Sequence, residues 1–299
     1  MIMQSLSIGI DLGCTNIKGV LIDKEGNLLY ETKCETNEQD DAHWKRAVAD
    51  MIQDFKKKAG GNVNTIGLSA PGLADAENKC ISFMPGRLPG LENFNWSDRI
   101  KEKVWVLNDA HAAMMAEATF GAAKGLQHAV LLSLGTGVGG GILMNGQLYQ
   151  GISQMAGHIG HTTVNAETSR RDVTNMAGSI EEAIGNVTLA ERSHGKYHST
   201  EELVNDFRKG DHFATWVWLS SVRKLAVCIA SVINILSPEA VILSGGIIQA
   251  KEALLNPLQD FLDLYEWRPG GKKTQIKFAY FSDRAGAIGA AGFAFSKMK

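Results

Sequence analysis

Apolar and polar positions alternate along the start of this chain and then change to a three-to-four spacing. Residues 6–11, 17–22 and 28–33 read as three short strands, joined by a glycine turn after Asp11 and by a polar turn over 23–27. Over 42–58 the residues Trp44, Ala47, Val48, Met51, Ile52 and Phe55 recur at helical spacing, which predicts an amphipathic helix. Two further apolar runs, 65–69 and 104–107, stop abruptly at Ala70-Pro71-Gly72 and at Asn108-Asp109. A hairpin unit followed by strand–helix units predicts a mixed sheet with helices on its faces.

The scheme then repeats. Residues 129–133 and 141–144 predict a second hairpin, 179–237 a mostly helical region, and 240–244 a buried strand ended by Gly245-Gly246. Ser199-Thr200-Glu201-Glu202 reads as a capping-box start and Gly210 as a helix stop. The two hairpins are written in similar letters, DLGCTNIKGVLID from Asp11 and SLGTGVGGGILMN from Ser133. Laid together without a gap they match at Leu12/Leu134, Gly13/Gly135, Gly19/Gly141 and Leu21/Leu143. An internal duplication follows, with domains expected over 1–122 and 123–299. Strand-like sequence follows the glycines in both copies, which excludes the strand–glycine–helix fingerprint of dinucleotide binding. No low-complexity linker separates the halves, so they are expected to pack around a central cleft, with ligands at strand C-terminal ends.

Composition narrows the functional classes. The 299 residues, 44% hydrophobic and 21% charged, suffice for a large core. A formal net charge of -2 with interspersed signs gives no basic field for nucleic acid or an anionic membrane. The longest apolar tract, 213–236, carries Arg223 and Lys224 in its middle and is expected as a buried helix, not a span. Cys14, Cys34, Cys80 and Cys228 are scattered, so neither a disulfide framework nor a cysteine zinc site is signalled. With the first strand starting within a few residues, nothing directs secretion, and a reducing cytoplasm is expected.

Two glycine loops carry the candidate chemistry. Gly135-Thr136-Gly137-Val138-Gly139-Gly140-Gly141 is dense enough in glycine for backbone N–H groups to converge on an anion. Asp11-Leu12-Gly13-Cys14-Thr15 offers a similar turn with a carboxylate and a hydroxyl, so Asp11 is a candidate to hold Mg²⁺ directly or through water. Tight hairpin turns alone would also explain the glycines. Asp109 ends a strand and opens an alanine-rich helix, a position that fits a helix N-cap. An aspartate with a free pKa of about 3.9 is ionised at neutral pH and fits a general base equally well. Spacing does not choose between the two.

The set DLGCTN, GLSAPG, LNDAHAAMMAE, GTGVGGGILMNG, AGHIGH and VILSGG, in this order, resembles the ROK family of bacterial sugar kinases and repressors across essentially the whole chain. The resemblance implies an actin-like (ribonuclease H-like) α/β fold of two duplicated domains around a central cleft, 1–122 on the sugar and catalytic-base side and 123–299 on the nucleotide side, with the final helix packing back on the first. It also implies transfer of the ATP γ-phosphate to a hexose or N-acetylhexosamine hydroxyl, usually the 6-position. By that resemblance Asp109 is the catalytic base, and Asn108, Gly72, His158, His161 and Glu181 lie on the sugar side. Gly13, Thr15, Gly135, Thr136 and Gly137 line the phosphates, Gly245 and Gly246 lie near the nucleotide, and a homodimer is implied.

Departures from the family pattern matter as much. His158 stands where members commonly have Glu, while His161 keeps the family histidine; His111 replaces a second asparagine. The family's CxCGxxGCxE zinc cluster is matched here by DVTNMAGSIE from Asp172, without its three cysteines but with Gly178 and Glu181. One histidine, an aspartate and two hydroxyls substitute poorly for four tetrahedral ligands, so no structural zinc is expected. A new metal site of His158, His161 and Asp172 is the alternative, and hydrogen bonding of His161 to the sugar or to Glu181 the simpler reading. Trp96, after the Pro85–Gly90 loop, either stacks on a sugar or anchors that loop. The expectation is therefore a cytoplasmic, Mg²⁺·ATP-dependent sugar kinase. A β-glucoside kinase and a sugar-responsive regulator with little catalysis remain as alternatives.

Overall fold

The computed structural model describes residues 5–298. Its strands are β1 (Leu6–Leu12), β2 (Asn16–Asp23), β3 (Leu28–Glu35), β4 (Thr65–Ala70), β5 (Leu73–Ala74), β6 (Ile81–Phe83), β7 (Val104–Asn108), β8 (Ala129–Leu134), β9 (Val138–Met144), β10 (Gln147–Tyr149), β11 (Ala240–Ser244) and β12 (Gln275–Phe278). Its α-helices are α1 (Asp41–Lys58), α2 (Trp96–Ile100), α3 (Asp109–Phe120), α4 (Ile180–Ile184), α5 (Leu189–Arg192), α6 (Thr200–Arg208), α7 (His212–Leu236), α8 (Glu252–Tyr265) and α9 (Ala285–Ser296).

The duplication is visible in the topology. One sheet runs β3-β2-β1-β4-β7 and the other β10-β9-β8-β11-β12. In each, the first strand pairs antiparallel with the second and parallel with the fourth, and the fifth is parallel again. The gapless alignment of the hairpins needs one correction. Ile10 pairs with Gly19, whereas its counterpart Leu132 pairs with Gly140. The first turn is therefore one residue longer, and Gly140, not Gly141, is the partner of Gly19 by register.

Two compact units divide the described chain. One holds the residues up to Leu126, Gly146–Ala156 and the stretch from Tyr280; the other holds Gln127–Asn145 and Gly157–Ala279. The first unit ends at Leu126, near the division expected after residue 122, and both Gly146–Ala156 and the last helix return to it. Leu148 packs on Leu107, Ala112, Met115 and Phe293, which draws its segment into the first unit. The last helix, α9, joins the same unit. A Cβ on Gly9 would strike the Ala287 carbonyl, and one on Gly67 the Ala290 carbonyl. Gly9 and Gly67 are register partners on β1 and β4, so the helix lies in a trench of missing side chains. Glu117 pins its approach by accepting from the N–H groups of Tyr280 (3.0 Å), Phe281 (2.8 Å) and Ala122 (2.7 Å).

The second unit packs by side chains. Trp218, Val222, Leu225 and Ile229 of α7 join Val130, Leu132, Val241 and Leu243 in its core. Among the described residues α7 is the one helix long and apolar enough to cross a membrane, yet these residues are buried against the sheet while Arg223 is exposed. The region 179–237 is less continuously helical than expected, broken at Gly185 and again after Arg192. The capping box is formed: Ser199 Oγ accepts from the Glu202 N–H, and Glu202 accepts from the Ser199 N–H.

Candidate active site

In the first unit the site begins where β7 ends. Asn108, not Asp109, caps α3: its Oδ1 accepts from the N–H groups of Ala110 (2.9 Å) and His111 (3.3 Å), and its Nδ2 donates to the Gly72 carbonyl (2.9 Å). The capping role open to Asp109 is thus taken by its neighbour. Gly72 itself has φ +99°, and a Cβ there would meet the Phe83 carbonyl at 2.5 Å, so only glycine lets this turn hold Asn108. Asp109 Oδ1 accepts from the Ala110 N–H (2.7 Å), while the residue remains open to solvent. Desolvation by the surrounding protein and the negative charge of Asp11 raise its pKa to about 6.

Asp11, at the end of β1, takes a 2.6 Å hydrogen bond from the Ser69 hydroxyl on β4. Burial raises its pKa; Ser69 and the Lys18 ammonium oppose that rise. Gly286, in the first turn of α9, supplies the space: a Cβ there would lie 2.5 Å from the Asp11 carboxylate. Ser69, Lys18 and Gly286 went unnoticed in the sequence because only the folded register brings them to Asp11. His111 is buried and its Nε2 lies 2.7 Å from the Ala156 carbonyl; burial lowers its pKa, so the ring is neutral and donates there.

The two glycine turns close in similar ways. Gly13 N–H donates to Asn16 O (3.0 Å), and Gly135 N–H to Gly137 O (2.9 Å). Their N–H groups are therefore spent on the turns, while Cys14, Thr15 and Thr136 donate to no backbone carbonyl among the described residues. Thr15 and Thr136 are exposed. The longer glycine run divides by role. Gly139–Gly141 belong to β9, not to the turn, and a Cβ on Gly140 would meet the Gly157 carbonyl at 2.5 Å. Their bareness lets the loop carrying His158 and His161 lie on the strand.

Gly137 makes room for Glu181, whose carboxylate occupies the space of the missing Cβ. Glu181 Oε2 accepts from the Val138 N–H (2.9 Å), and Oε1, also buried, has no hydrogen-bond partner among the described residues. Gly245 has φ +87°, and the Leu134 carbonyl fills its Cβ position, so both the backbone and the space require glycine. Gly246 is open and borders a cavity of about 350 Å³ lined by Thr200, Glu201, Asn205, Arg208 and Gln249; the sequence marked Thr200 and Glu201 only as a helix start and the other three not at all.

His158 and His161 lie with parallel rings, their centroids 6.5 Å apart. His161 Nδ1 is 3.0 Å from Asp172 Oδ2, so its partner is Asp172 and not Glu181. The ligand atoms of His161, Asp172 and Glu181 lie within 4.8 Å of one another, a spacing a metal ion could bridge; His158 is not in that group. Trp96 is fully buried between Trp44 (centroids 6.0 Å) and Phe94 (4.8 Å), so it anchors the core and stacks on no ligand. The Pro85–Gly90 loop is held instead by Arg87, whose Nε and Nη2 donate to Glu38 at 2.6 and 2.9 Å.

Two sheets of one order, each opening on a glycine turn, define an α/β protein of actin-like ATPase fold. Residues 7–297 match the ROK family, and the chain belongs to that family. It is 32% identical over 278 residues to a glucokinase of Thermotoga maritima, covering 85% of this chain and 86% of that protein. It is 26% identical over 300 residues to a xylose repressor of Bacillus subtilis, covering 95% of this chain and 75% of that protein. The crystal structure of a ROK hexokinase from Thermus thermophilus superposes with a TM-score of 0.85 at 27% identity, covering 98% of each chain.

Proposed function

We propose that this protein is an ATP-dependent sugar kinase that moves the γ-phosphoryl group of ATP to a hydroxyl, the 6-OH first, of a hexose or N-acetylhexosamine. The observation that carries this reading is the division of labour at Asn108-Asp109: Asn108 Oδ1 caps the helix, so the exposed Asp109 carboxylate is not spent on the cap and can take a proton. In the reaction the sugar oxygen bonds to the γ-phosphorus as the bond to the β–γ bridging oxygen breaks. ADP leaves, and the hydroxyl proton passes to Asp109. With a pKa of about 6, Asp109 is mostly ionised at pH 7 and still basic enough to help.

The other roles follow the same reading. Thr15, Thr136 and the turns of Gly13, Gly135 and Gly137 offer donors to phosphate oxygens, and the cavity beside Gly246 has room for the nucleoside. Asp11 suits Mg²⁺: it is a hard oxygen donor already oriented by Ser69, and the ion takes one or two carboxylates beside phosphate oxygens. Bound there, Mg²⁺ would neutralise phosphate charge. Gly72 supports Asn108, whose amide lies beside Asp109 on the sugar side of this reading; His158, His161 and Glu181 offer further polar groups. The reading places the enzyme in the cytoplasm as a homodimer.

Its test is product formation from Mg²⁺·ATP with glucose, mannose, N-acetylglucosamine, N-acetylmannosamine, fructose, allose and cellobiose, with Asp109→Asn alongside. One sugar should be phosphorylated, and the variant should lose about 10²–10⁴-fold in kcat. Turnover of cellobiose alone would make the acceptor a β-glucoside. Nucleotide binding without turnover on any sugar would favour a regulator, as similarity to a xylose repressor allows.

A further inference from the structure

His161 and Asp172 form a buried hydrogen-bonded dyad whose polarity follows from what surrounds the carboxylate. The Asp172 side chain has no exposed surface, while that of His161 is one-third exposed (33%). Asp172 Oδ1 accepts from the Thr174 hydroxyl (2.7 Å), the Thr174 N–H (2.9 Å) and the Met176 N–H (3.0 Å). Its own N–H closes the turn on the Met176 carbonyl (3.0 Å). Burial works against the charge, but the hydrogen bonds from Thr174, His161, Met176 and Ser179 outweigh it and hold the pKa at about 2. An ionised carboxylate only accepts. The Thr174 hydroxyl also lies 3.2 Å from Nδ1, but its single hydrogen is given to Asp172 Oδ1, so the 3.0 Å contact to Oδ2 requires the hydrogen of His161 on Nδ1.

That requirement decides what the other ring nitrogen offers. A metal ion on Nδ1 would leave the hydrogen on Nε2 and make it a donor. A carboxylate on Nδ1 does the opposite in the neutral ring. We propose that Asp172 is a positioning residue that locks His161 as the Nδ1–H tautomer, so that Nε2 presents an acceptor to a sugar hydroxyl. His158 belongs to the same loop, its ring parallel to that of His161 with centroids 6.5 Å apart. The alternative use of the cluster, as a metal site, conflicts with this bonding. Asp172 already accepts from Thr174, Met176, His161 and Ser179, and Glu181 Oε2 is committed to Val138, which leaves Glu181 Oε1 as the buried oxygen of these carboxylates without a hydrogen bond among the described residues.

The sugar's part in this rests on the kinase reading, so the deciding measurement is independent of turnover. Long-range ¹H–¹⁵N spectra of ¹⁵N-histidine protein at pH 8, with His161 assigned through His161→Gln, should place the hydrogen on Nδ1 and leave Nε2 bare. Asp172→Asn should move the hydrogen to Nε2, because the amide can now donate to Nδ1. It should also lower kcat/KM for the sugar about 10–100-fold, the effect usual for a partner that orients a functional histidine, with the KM for ATP unchanged. Should that variant fail to fold, the wild-type spectrum decides alone. An Nε2–H tautomer in the wild type, an unchanged tautomer in Asp172→Asn, or one equivalent of zinc in the purified protein would overturn the assignment. Absence of turnover with the Nδ1–H tautomer intact would count against the kinase reading only.

Discussion

Gly9 and Gly67 face each other in the first sheet at the register positions that Leu131 and Ile242 hold in the second. Strand order is the same, yet the first sheet admits a helix backbone against bare glycine and the second fills the same positions with branched side chains. The glycine turns differ in the same spirit. The first adds Asp11 with its Ser69 hydrogen bond, and the second adds a buried glutamate behind Gly137. Duplication kept the frame and the turn, and the chemistry diverged in what each half packs beside them. One half carries Asp11 and Asp109, the other the polar loop of His161 and Glu181.

The largest structural effect expected from this contrast is at Gly67. Adding one methyl there drives it into the Ala290 carbonyl, which cannot yield without moving α9. Gly67→Ala should cost roughly 3 kcal/mol or more in urea unfolding, comparable to removing most of a side chain by Leu131→Ala at roughly 2–5 kcal/mol. A neutral Gly67→Ala would break the comparison. The turns give a smaller contrast. Gly137→Ala should displace Glu181 and its bond to Val138 and cost about 1–3 kcal/mol, whereas Gly135→Ala, which meets open space, should stay within about 0.5 kcal/mol. Equal losses at both would mean that Glu181 is not what the missing side chain serves.

The smallest effect concerns Asp109. Its folded pKa, about 6, lies above the unfolded value, so the proton binds the folded state more tightly. Folding is favoured by this group below about pH 4, and that advantage is lost as pH rises through 6. Asp109→Asn should therefore raise the Tm at pH 8, and the gain should vanish near pH 4. A lower Tm at pH 8 would mean the carboxylate is stabilised by partners and not strained by its surroundings.

Much of this frame was legible in the sequence. Period-two alternation gave the first hairpin, and the apolar spacing of Trp44 to Phe55 gave α1 nearly to its ends. Elements without contrast between faces were not legible. α9 is alanine, glycine and phenylalanine with Ile288 and a terminal Ser296, so no polar face sets a period; a final helix packing back on the first half was expected from the resemblance, but its fit to Gly9 and Gly67 exists only in the fold. β9 starts at Val138, three residues earlier than expected, because glycines carry little strand signal of their own. Within the candidate site, Asp109 stood out at a strand end, but whether it or Asn108 capped the helix depended on side-chain geometry. The partnership of Asp172 with His161 needed the Thr174–Met176 turn, and the burial of Trp96 needed Trp44, brought together from distant segments.

The central claim, that Asp109 is the proton acceptor, is tested most directly by kcat/KM for the accepted sugar measured from pH 5 to 9. The account predicts a plateau above neutrality and a tenfold fall per pH unit below about 6, as Asp109 becomes protonated, with Asp109→Asn far below the plateau throughout. A profile that stays flat down to pH 5, or an Asp109→Asn enzyme at the wild-type rate, would contradict it.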